Sequence, residues 1–373
     1  MITPLKMSSE TAVAELTRLY ESYGYTKYKM SKFEVYDLYA ENKSFLKCEN
    51  IITFSDLSGR LLALKPDVTL SIVKSVKDEA AVPYKLYYNE NIYRVNRGSK
   101  DYSEITQVGL EYIGDVDLYS TFEVISLAVK GLNMISGRNI LDISHLGFIN
   151  GLLDETGISA AQRERVYTLL SERNTHELKS YCIECGVDAF LISIITALSE
   201  IYGEFKKTLA AVRALSINNT MHNALDELED LYGLLKKLKL NKSINLDFSI
   251  VNDVTYYNGI IFQGFIEGIP GVILSGGRYD NLLKKLGKNT GAIGFAVYTD
   301  TLNSYFVPES PYDIDCVLIY NENDDVYAVS EAAHRLLAQG KGVLVQKKVQ
   351  KDIKAARYYK MADGKAVEIN GLP

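Results

Sequence analysis

A long helical stretch between two segments of strand-like sequence is the feature that most restricts how this chain folds. From about Gly151 to Leu240, apolar residues recur at the three- and four-residue spacing of amphipathic helices. On both sides of this stretch, short runs rich in tyrosine, valine and isoleucine alternate with turn residues, as strands do. We therefore predict an α+β chain whose helical insertion, residues 151–240, interrupts a core formed by residues 1–150 and 241–306.

Local patterns predict the elements of the first core segment. A helix is predicted over residues 8–23, and a strand over the alternating stretch "YTKYKMSKFEVYDLY". The run "IITFSDLSGRLLALKPDVTLSIVK" predicts a hairpin that turns at Ser58 and Gly59. A helix then starts near Pro66, because proline is tolerated in a first helical turn. Two strands, "YKLYYNENIYRVN" and "YSEITQVGLEYIG", and a helix, "VDLYSTFEVISLAVKGLNMI", follow.

Strands return after the insertion. The stretch "SIVNDVTYYNGIIFQGF" predicts a strand, a polar turn and a second strand, with Tyr256 and Tyr257 where the first strand ends. Residues 288–305 predict a glycine-rich turn and a helix. Beyond the linker "VPESP", residues 312–373 predict a small α/β unit with strands "DCVLIY", "KGVLVQ" and "KAVEIN" and the helix "DVYAVSEAAHRLLAQG".

Composition narrows the function classes. The 373 residues suffice for about two or three domains, and a formal net charge of −6 argues against broad nucleic-acid binding. The longest apolar runs are far shorter than the roughly 18 residues of a membrane helix. The N-terminal stretch also lacks the basic and apolar regions of a secretory signal. We therefore expect a cytoplasmic protein without a membrane partner.

The cysteines predict neither a disulfide framework nor a metal site. They are Cys48, Cys182, Cys185 and Cys316. The middle two form a lone C-x-x-C, and His176 is the one histidine nearby, whereas a zinc site needs a second pair or more histidines. We expect two thiols on or beside a helix.

Several stretches, in matching order, resemble the motifs of histidyl-tRNA synthetases, which are class II aminoacyl-tRNA synthetases. "YESYGYTKYKMSKFE" resembles a degraded motif 1, with Ser31 where proline is usual. "LALKPDVT" is similar to the family's L-R-P-E-x-T, and "IYRVNRGSKDYSEITQVGLEYIG" resembles motif 2. "VTYYNGIIF" is similar to R-G-L-D-Y-Y-x-x-x-x-F, and "SGGRYDNLLKKLGKNTGAIGFAV" resembles motif 3. The resemblance implies an antiparallel sheet flanked by helices, and a C-terminal unit like a reduced anticodon domain.

The departures from the family pattern fall on its ATP site. The resemblance places Asn252 and Thr301 at two arginine positions, and Asn96 at the glutamate that meets the ATP base. Arginine suits phosphate chemistry because its planar fork is always charged. Arg94 survives, and with Arg97 it is expected to keep a residual contact with phosphate or another anion. We therefore predict that the chain has no catalytic residues and does not adenylate amino acids.

The amino-acid side of the family pattern is retained. Gln107 and Glu111 stand at the family's Q-x-x-x-E, and their spacing places both on one face of a strand. The resemblance implies that Glu111 accepts an imidazole N–H and that Tyr257 meets the second ring nitrogen. It also implies contacts to the α-amino group from the segment that begins at Asp67. The expected histidine-binding residues are Asp67, Thr69, Gln107, Glu111, Tyr256 and Tyr257.

This combination resembles the non-catalytic branch of the family, the regulatory subunits of ATP phosphoribosyltransferase. The resemblance implies a chain that binds L-histidine for feedback and joins a short-form catalytic subunit in the first step of histidine biosynthesis. It further implies a homodimer through the core, with neither tRNA nor a cofactor bound. Two other classes stay open: an active histidyl-tRNA synthetase or adenylating paralogue, and a binding module for another amino acid or for RNA.

Structural roles compete with ligand binding at three places. The pair Tyr256 and Tyr257 is also typical of sheet packing, because tyrosine is favoured in strands. The sequence "GGRYD" is typical of a turn held by Arg278 and Asp280, and His145 is expected to be hydrogen-bonded near a strand end.

Overall fold

A computed structural model of the chain describes residues 7–43, 46, 51–77, 82–95, 101–251, 256–306, 312–348 and 352–369. The chain forms two compact units, Met1–Phe306 and Val307–Pro373. The finer division of the first unit into a core and a helical insertion remains a prediction.

The helices of the described residues follow the apolar periodicity of the sequence. They are α1 (Ser9–Ser22), α2 (Tyr36–Glu41), α3 (Thr69–Ser75), α4 (Leu118–Ile135), α5 (Leu146–Asp154), α6 (Ala160–Ser171), α7 (Thr175–Glu184), α8 (Ala189–Glu200), α9 (Phe205–Arg213), α10 (Asn219–Lys237), α11 (Asp280–Lys285) and α12 (Val326–Leu337). Most begin at a polar cap; at α4, for example, Asp117 accepts from the Ser120 N–H at 2.8 Å. Within the described residues, no helix is long and apolar enough to cross a membrane.

The strands of the described residues belong to three sheets. They are β1 (Thr26–Lys27), β2 (Phe33–Val35), β3 (Thr53–Ser55), β4 (Leu61–Leu64), β5 (Tyr84–Val95), β6 (Tyr102–Gly114), β7 (Asn139–His145), β8 (Tyr202–Glu204), β9 (Ile244–Asp247), β10 (Ile260–Ile266), β11 (Leu274–Arg278), β12 (Gly291–Tyr298), β13 (Ile314–Ile319), β14 (Val343–Gln346), β15 (Ala355–Ala362) and β16 (Lys365–Ile369).

The large sheet of the first unit has the order β1-β5-β6-β12-β11-β10-β7-β9-β8 among the described strands. Among the described strands of this sheet, only the pairs β1–β5 and β7–β9 are parallel, so the sheet is mainly antiparallel, as predicted. The long strands β5 and β6 pair from Tyr84↔Ile113 to Val95↔Tyr102. Strand β12 continues the ladder on the other side of β6, where Gly294 lies opposite Glu111. Helices α1 and α4 cover this sheet and approach each other closely at Gly131 and Leu16.

Residues 160–237 are helical apart from the short strand β8 and the turns, as the periodicity predicts. A polar anchor ties this stretch to the sheet. Arg173 adopts a φ of 53° and donates from Nη2 to Asp247 Oδ2 at 2.5 Å, at the end of β9. Its guanidinium also lies 4.3 Å from the ring centroid of Tyr202. The anchor joins the turn after α6 to the edge strand β8 and to its neighbour β9.

Three element predictions are wrong in part. The strand predicted for "YTKYKMSKFEVYDLY" is instead β1, β2 and α2, because β1 pairs with β5 in the large sheet and β2 pairs with β4 in a separate one. The turn and helix predicted for residues 288–305 are strand β12 and a short 3-10 segment, Asp300–Ser304. The strand predicted just before the two tyrosines ends earlier, at Asp247, whose side chain accepts from the Ser249 N–H at 2.9 Å and bends the chain there.

The second unit is a small α/β structure. Its sheet has the order β14-β13-β15-β16, with parallel pairs around β13 and one antiparallel hairpin. Helix α12 packs against this sheet through Val329, Ala332 and Leu336. The predicted strands and helix are present; strand β15 was not predicted from the sequence.

Candidate functional site

All six predicted ligand residues lie around one cavity at the middle of the large sheet. The cavity holds about 380 Å³ of empty space, part of it open to solvent. Its described lining residues are Asp67, Thr69, Tyr88, Arg94, Gln107, Glu111, Tyr256, Tyr257, Ser275, Tyr279, Gly294, Phe295, Ala296 and Tyr298. The structure therefore brings together side chains from four distant parts of the sequence.

Strand β6 and the start of helix α3 position four of these side chains. Gln107 and Glu111 share one face of β6, as their spacing predicts, and both are almost completely buried. Asp67 lies just before α3 and accepts from the Leu70 N–H at 2.8 Å, so it fixes the start of that helix. Thr69 is the first residue of the helix. The start of α3 is thereby held against β6.

Glu111 is the electrostatic centre of the cavity. Its carboxylate accepts from the hydroxyl of Thr69 at 2.7 Å and from the hydroxyl of Tyr279 at 2.5 Å, through different oxygens. Burial raises the pKa of the Glu111 carboxyl to about 8; the two hydrogen bonds lower it, and the nearby Asp67 raises it further. Glu111 therefore exchanges a proton near neutral pH, and its ionised form is held by hydroxyl donors.

The carboxylate of Glu111 occupies space that glycine leaves open. A Cβ at Gly294, directly opposite on β12, would lie 1.8 Å from Glu111 Oε2 and 2.5 Å from the Leu110 backbone oxygen. On the next strand, a Cβ at Gly277 would lie 2.7 Å from the ring of Tyr257. Gly294 thus forms part of the floor of the cavity, and Gly277 leaves room for the ring of Tyr257.

Tyrosines form the walls of the cavity. The ring of Tyr256 lies 4.8 Å from that of Tyr257, in an edge-on contact, and 5.5 Å from that of Tyr279. Burial raises the pKa of Tyr88, Tyr256 and Tyr279 well above the usual value, so all three phenols stay protonated and can donate hydrogen bonds. Neither Tyr256 nor Tyr257 belongs to a strand; both precede β10.

The sequence predicted no role for Tyr279 or Tyr88. A signal was present for Tyr279, because it stands inside "GGRYD" between the two residues assigned to a structural turn. That turn is present, since Arg278 Nε donates to Asp280 Oδ2 at 2.9 Å. It directs the side chain between them toward Glu111. Tyr88 carried no comparable signal, because it is one of several tyrosines on β5.

Arg94 reaches the cavity from β5. Its Nε donates to the Pro66 carbonyl at 2.9 Å, and its Nη2 lies 3.8 Å from Asp67 Oδ2. Thr301 is exposed in the 3-10 segment and does not line the cavity. Three further positions predicted for the site, Asn96, Arg97 and Asn252, lie outside the described residues.

Both ring nitrogens of His145 make hydrogen bonds within the protein. Its Nδ1 accepts from the Gly147 N–H at 3.0 Å, so its Nε2 carries the proton and donates to Glu227 at 3.1 Å. The pKa of Glu227 is lowered, because the hydrogen bond from His145 and the nearby positive charge of Arg278 outweigh the effect of burial.

The described part of the chain contains no group of three or more side chains arranged to hold a metal ion. Cys182 is buried on α7, and Cys185 is its C-terminal cap. Burial raises the pKa of the Cys182 thiol to about 11. This thiol is therefore a packing group at neutral pH; Cys48 lies outside the described residues.

Comparison with known proteins shows similarity to histidyl-tRNA synthetases and to regulatory subunits of ATP phosphoribosyltransferase. The family model for histidyl-tRNA synthetase matches residues 5–302. The ATP phosphoribosyltransferase regulatory subunit of Oceanobacillus iheyensis is 29% identical over 346 residues, covering 91% of this chain and 85% of the relative.

Solved structures show the same likeness. An ATP phosphoribosyltransferase regulatory subunit/histidyl-tRNA synthetase from Bacillus halodurans is 26% identical, with a TM-score of 0.78 over 91% of this chain and 88% of that one. A chain of an ATP phosphoribosyl transferase complex from Thermotoga maritima is 18% identical, with a TM-score of 0.62 over 78% of this chain and 97% of that one. These likenesses confirm the predicted class II synthetase-like fold.

Proposed function

The chain belongs to the histidyl-tRNA synthetase family, and within it to the non-catalytic regulatory subunits of ATP phosphoribosyltransferase, and from this premise we propose that it senses free L-histidine. Histidine would bind in the cavity around Glu111 and report its concentration to a catalytic subunit. No step of catalysis is assigned to the chain itself.

The observation that carries this proposal is the buried, oriented carboxylate of Glu111. Thr69 and Tyr279 each donate to one of its oxygens, and each carboxylate oxygen accepts about two hydrogen bonds. One acceptor position on each oxygen is therefore left for a ligand. Among the described residues no cation forms an ion pair with Glu111, so a ligand N–H would supply the missing stabilisation.

An imidazole suits this acceptor because it is flat and offers one N–H and one ring nitrogen that accepts. We infer that the N–H donates to Glu111 and that the hydroxyl of Tyr257 meets the other nitrogen. The buried ring of Tyr256, packed against Tyr257, supplies an apolar wall for the imidazole carbons. This arrangement supports histidine over an amino acid with an aliphatic side chain.

Oxygen acceptors on the other side of the cavity suit the α-ammonium group. Asp67 offers Oδ2, since its Oδ1 already accepts from the Leu70 N–H. Gln107 offers its amide oxygen, and the hydroxyl oxygen of Thr69 can accept while its proton goes to Glu111. Three acceptors therefore match the three N–H groups of an ammonium.

The proposed partner is a short-form catalytic subunit of ATP phosphoribosyltransferase. The names of the relatives support it, as does the fold shared with a chain of the Thermotoga maritima complex. Histidine would act through a coupling free energy of about 1–3 kcal/mol, which changes the partner's activity or affinity about 5- to 150-fold. We also propose that the chain is cytoplasmic, forms a homodimer through its core and binds no tRNA.

Titration calorimetry with the twenty amino acids tests the ligand. We expect heat of binding with histidine and little with the others. Glu111→Gln should abolish this heat, because an amide offers one acceptor oxygen where the carboxylate offers two. Glu267→Gln, at an exposed surface carboxylate, is the matched control. Absence of heat with histidine for the unaltered chain would remove the proposal.

Reconstitution tests the partner separately. The chain is mixed with a short-form catalytic subunit, and formation of the phosphoribosyl product is followed with and without histidine. We expect histidine to change the rate only when the chain is present. A rate that depends equally on histidine without the chain would assign the sensor to the catalytic subunit.

A further inference from the structure

Two short helices begin at the two oxygens of Glu111. Thr69, which donates to Oε1, is the first residue of α3, and Tyr279, which donates to Oε2, directly precedes α11. The two helices also contact each other. Each is about 10 Å long, because an α-helix rises about 1.5 Å per residue. A displacement at the far end of either helix would therefore reach a hydroxyl donor of Glu111.

Lys288 joins the far ends of these helices. Its side chain donates from Nζ to the Val76 carbonyl, and Val76 is the C-terminal cap of α3. Lys288 follows α11 after a turn in which Gly287 has a φ of 75° and the Lys288 N–H donates to the Leu283 carbonyl at 2.9 Å. Lys288 and Val76 are only 9% and 6% exposed. The contact is therefore an interior one.

A buried ammonium suits the end of α3 for two reasons. The last carbonyls of a helix have no partner within the helix, and the helix C-terminus carries a partial negative charge. Lys288 supplies both a donor and a positive charge at that position. Without this donor the buried carbonyl would lose a charge-assisted hydrogen bond, and the end of α3 would no longer be fixed.

The helix that precedes Lys288 is fixed to the large sheet. At the start of α11, Asp280 accepts from the Ala292 N–H of β12 at 3.0 Å. Asp280 also exchanges hydrogen bonds with Asn258, whose side chain accepts from the Asp280 N–H at 2.7 Å and donates to Asp280 Oδ2 at 3.2 Å. Because these contacts hold α11 to the sheet, the hydrogen bond from Lys288 holds the end of α3 there as well.

We propose that Lys288 is a positioning residue of the ligand site, which keeps the hydroxyls of Thr69 and Tyr279 on the two oxygens of Glu111 through α3 and α11. This inference rests on the proposed function and adds a residue to the same site. Lys288 is not among the described residues that line the cavity, so it acts on the ligand only through these helices.

The pH dependence of histidine binding separates positioning from a purely structural role. The hydrogen bonds from Tyr279 and Thr69 lower the pKa of the Glu111 carboxyl, against the effects of burial and of the nearby Asp67. If these donors are held less firmly, that pKa rises above about 8. The site binds histidine when Glu111 is ionised, so a higher pKa moves the onset of binding to higher pH. A lysine that only stabilised the fold would lower the melting temperature without this change.

The test titrates the unaltered chain and three variants with histidine by calorimetry, at about pH 7 and about pH 9.5. Lys288→Met keeps most of the side-chain volume but removes the donor, and Lys288→Arg keeps a charged donor. Lys284→Met is the matched control, because Lys284 is an exposed lysine on α11. Thermal melting of each variant checks that it is folded.

We expect Lys288→Met to bind histidine about tenfold more weakly than the unaltered chain at pH 7, and within about twofold of it at pH 9.5. A rise of about one unit in the pKa of Glu111 gives these values. The ionised fraction then falls from about one in eleven to about one in a hundred at pH 7, but stays above about three quarters at pH 9.5. Lys288→Arg should stay within about threefold at both pH values, and Lys284→Met should match the unaltered chain.

Hydrogen exchange on the unaltered chain tests the same connection without a variant. Histidine should slow the exchange of the Val76 and Lys288 amides at least about twofold, although both lie outside the cavity. These amides donate to the Ile72 and Leu283 carbonyls, at the ends of α3 and α11. The Glu172 amide, at the end of α6, is the internal control and should exchange at an unaltered rate.

Two outcomes would overturn this inference alone. If Lys288→Met lost the same affinity at pH 7 and pH 9.5, or lost none, Lys288 would only pack the ends of the helices. If Lys288→Met failed to fold, unchanged exchange of the Val76 and Lys288 amides in the unaltered chain would decide against the inference. Absence of histidine binding by the unaltered chain would instead remove the proposed function, and this inference with it.

Discussion

Alanine at Gly294 should disable the ligand site by adding a single methyl group. The new Cβ would lie 1.8 Å from Glu111 Oε2, 2.7 Å from Glu111 Cδ and 2.5 Å from the Leu110 carbonyl oxygen. The backbone oxygen cannot retreat, because β6 and β12 are paired on both sides of this position. The carboxylate of Glu111 must therefore turn away, and it then loses the hydrogen bond from Tyr279.

The expected cost follows from these two displacements. An extra methyl group forced into a packed core costs about 1–3 kcal/mol. A lost hydrogen bond to a buried charged group costs a further 1.5–3 kcal/mol or so. We therefore expect the free energy of unfolding to fall by about 3 kcal/mol or more, and the affinity for histidine to fall below detection.

Urea denaturation and titration calorimetry measure the two effects on one preparation. The matched control is Gly137→Ala, since a Cβ at Gly137 would meet no atom within 4 Å. It should change the free energy of unfolding by no more than about 0.5 kcal/mol and leave binding unaltered. If Gly294→Ala kept both the stability and the histidine affinity of the unaltered chain, the assignment of Glu111 and its glycine floor would be refuted.

Four shorter predictions follow from the same structure. Tyr279→Phe removes a hydroxyl donor to Glu111, so calorimetry should show histidine affinity falling about tenfold; equal affinity would contradict this. Because the Glu111 carboxyl has a pKa of about 8 in the empty site and binds the ligand when ionised, histidine affinity should rise from pH 6.5 to 8 with release of a proton. Calorimetry in buffers of different ionisation enthalpy would detect that proton, and a pH-independent affinity would speak against it. Gly233→Ala, exposed within α10 and free of contacts, should raise the free energy of unfolding by about 1 kcal/mol in urea, whereas a loss of stability would contradict the open surroundings. Exchange of labelled pyrophosphate into ATP with histidine present should stay at background, and robust exchange would identify an adenylating enzyme.

The Glu111 carboxyl also links stability to pH. In the unfolded chain it ionises near its ordinary pKa of 4.5, and in the folded chain near 8. The folded chain therefore binds the extra proton between these values, and this group's contribution to the free energy of unfolding decreases as pH rises through that window. Glu111→Gln should remove this decrease.

The parts of the fold that the sequence predicted are those decided by local pattern. The alternation of β5 and β6, the hairpin before Asp67 and the helical periodicity of residues 160–237 all reflect which face of each element is buried. The six predicted ligand residues were accessible because they stand within motifs whose order matches the family. The sequence alone does not give the distances between these side chains.

The predictions that are wrong concern features that tertiary contacts determine. Residues 288–305 predict a glycine-rich turn and a helix, yet Gly291–Tyr298 form the central strand β12, in which Gly294 makes room for Glu111. Glycine is disfavoured in strands by propensity, and here the requirement for space overrides that preference. The proximity of Arg94 to Asp67 could not be predicted either. It brings strand β5 next to the turn before α3, and no local sequence pattern determines such a tertiary contact.

The pairing of Glu111 with Gly294 also fixes the order in which the site is built. The two residues stand far apart in the first unit's sequence, with the whole helical stretch between them. Closing so long a loop is slow, since its entropy is lost before any contact compensates for it. During synthesis the site is therefore still open when β6 and the helices have already left the ribosome. The proposed histidine ligand would therefore find the cavity incomplete until β11 and β12 enter the sheet, so it would stabilise a finished core but would not help to nucleate it.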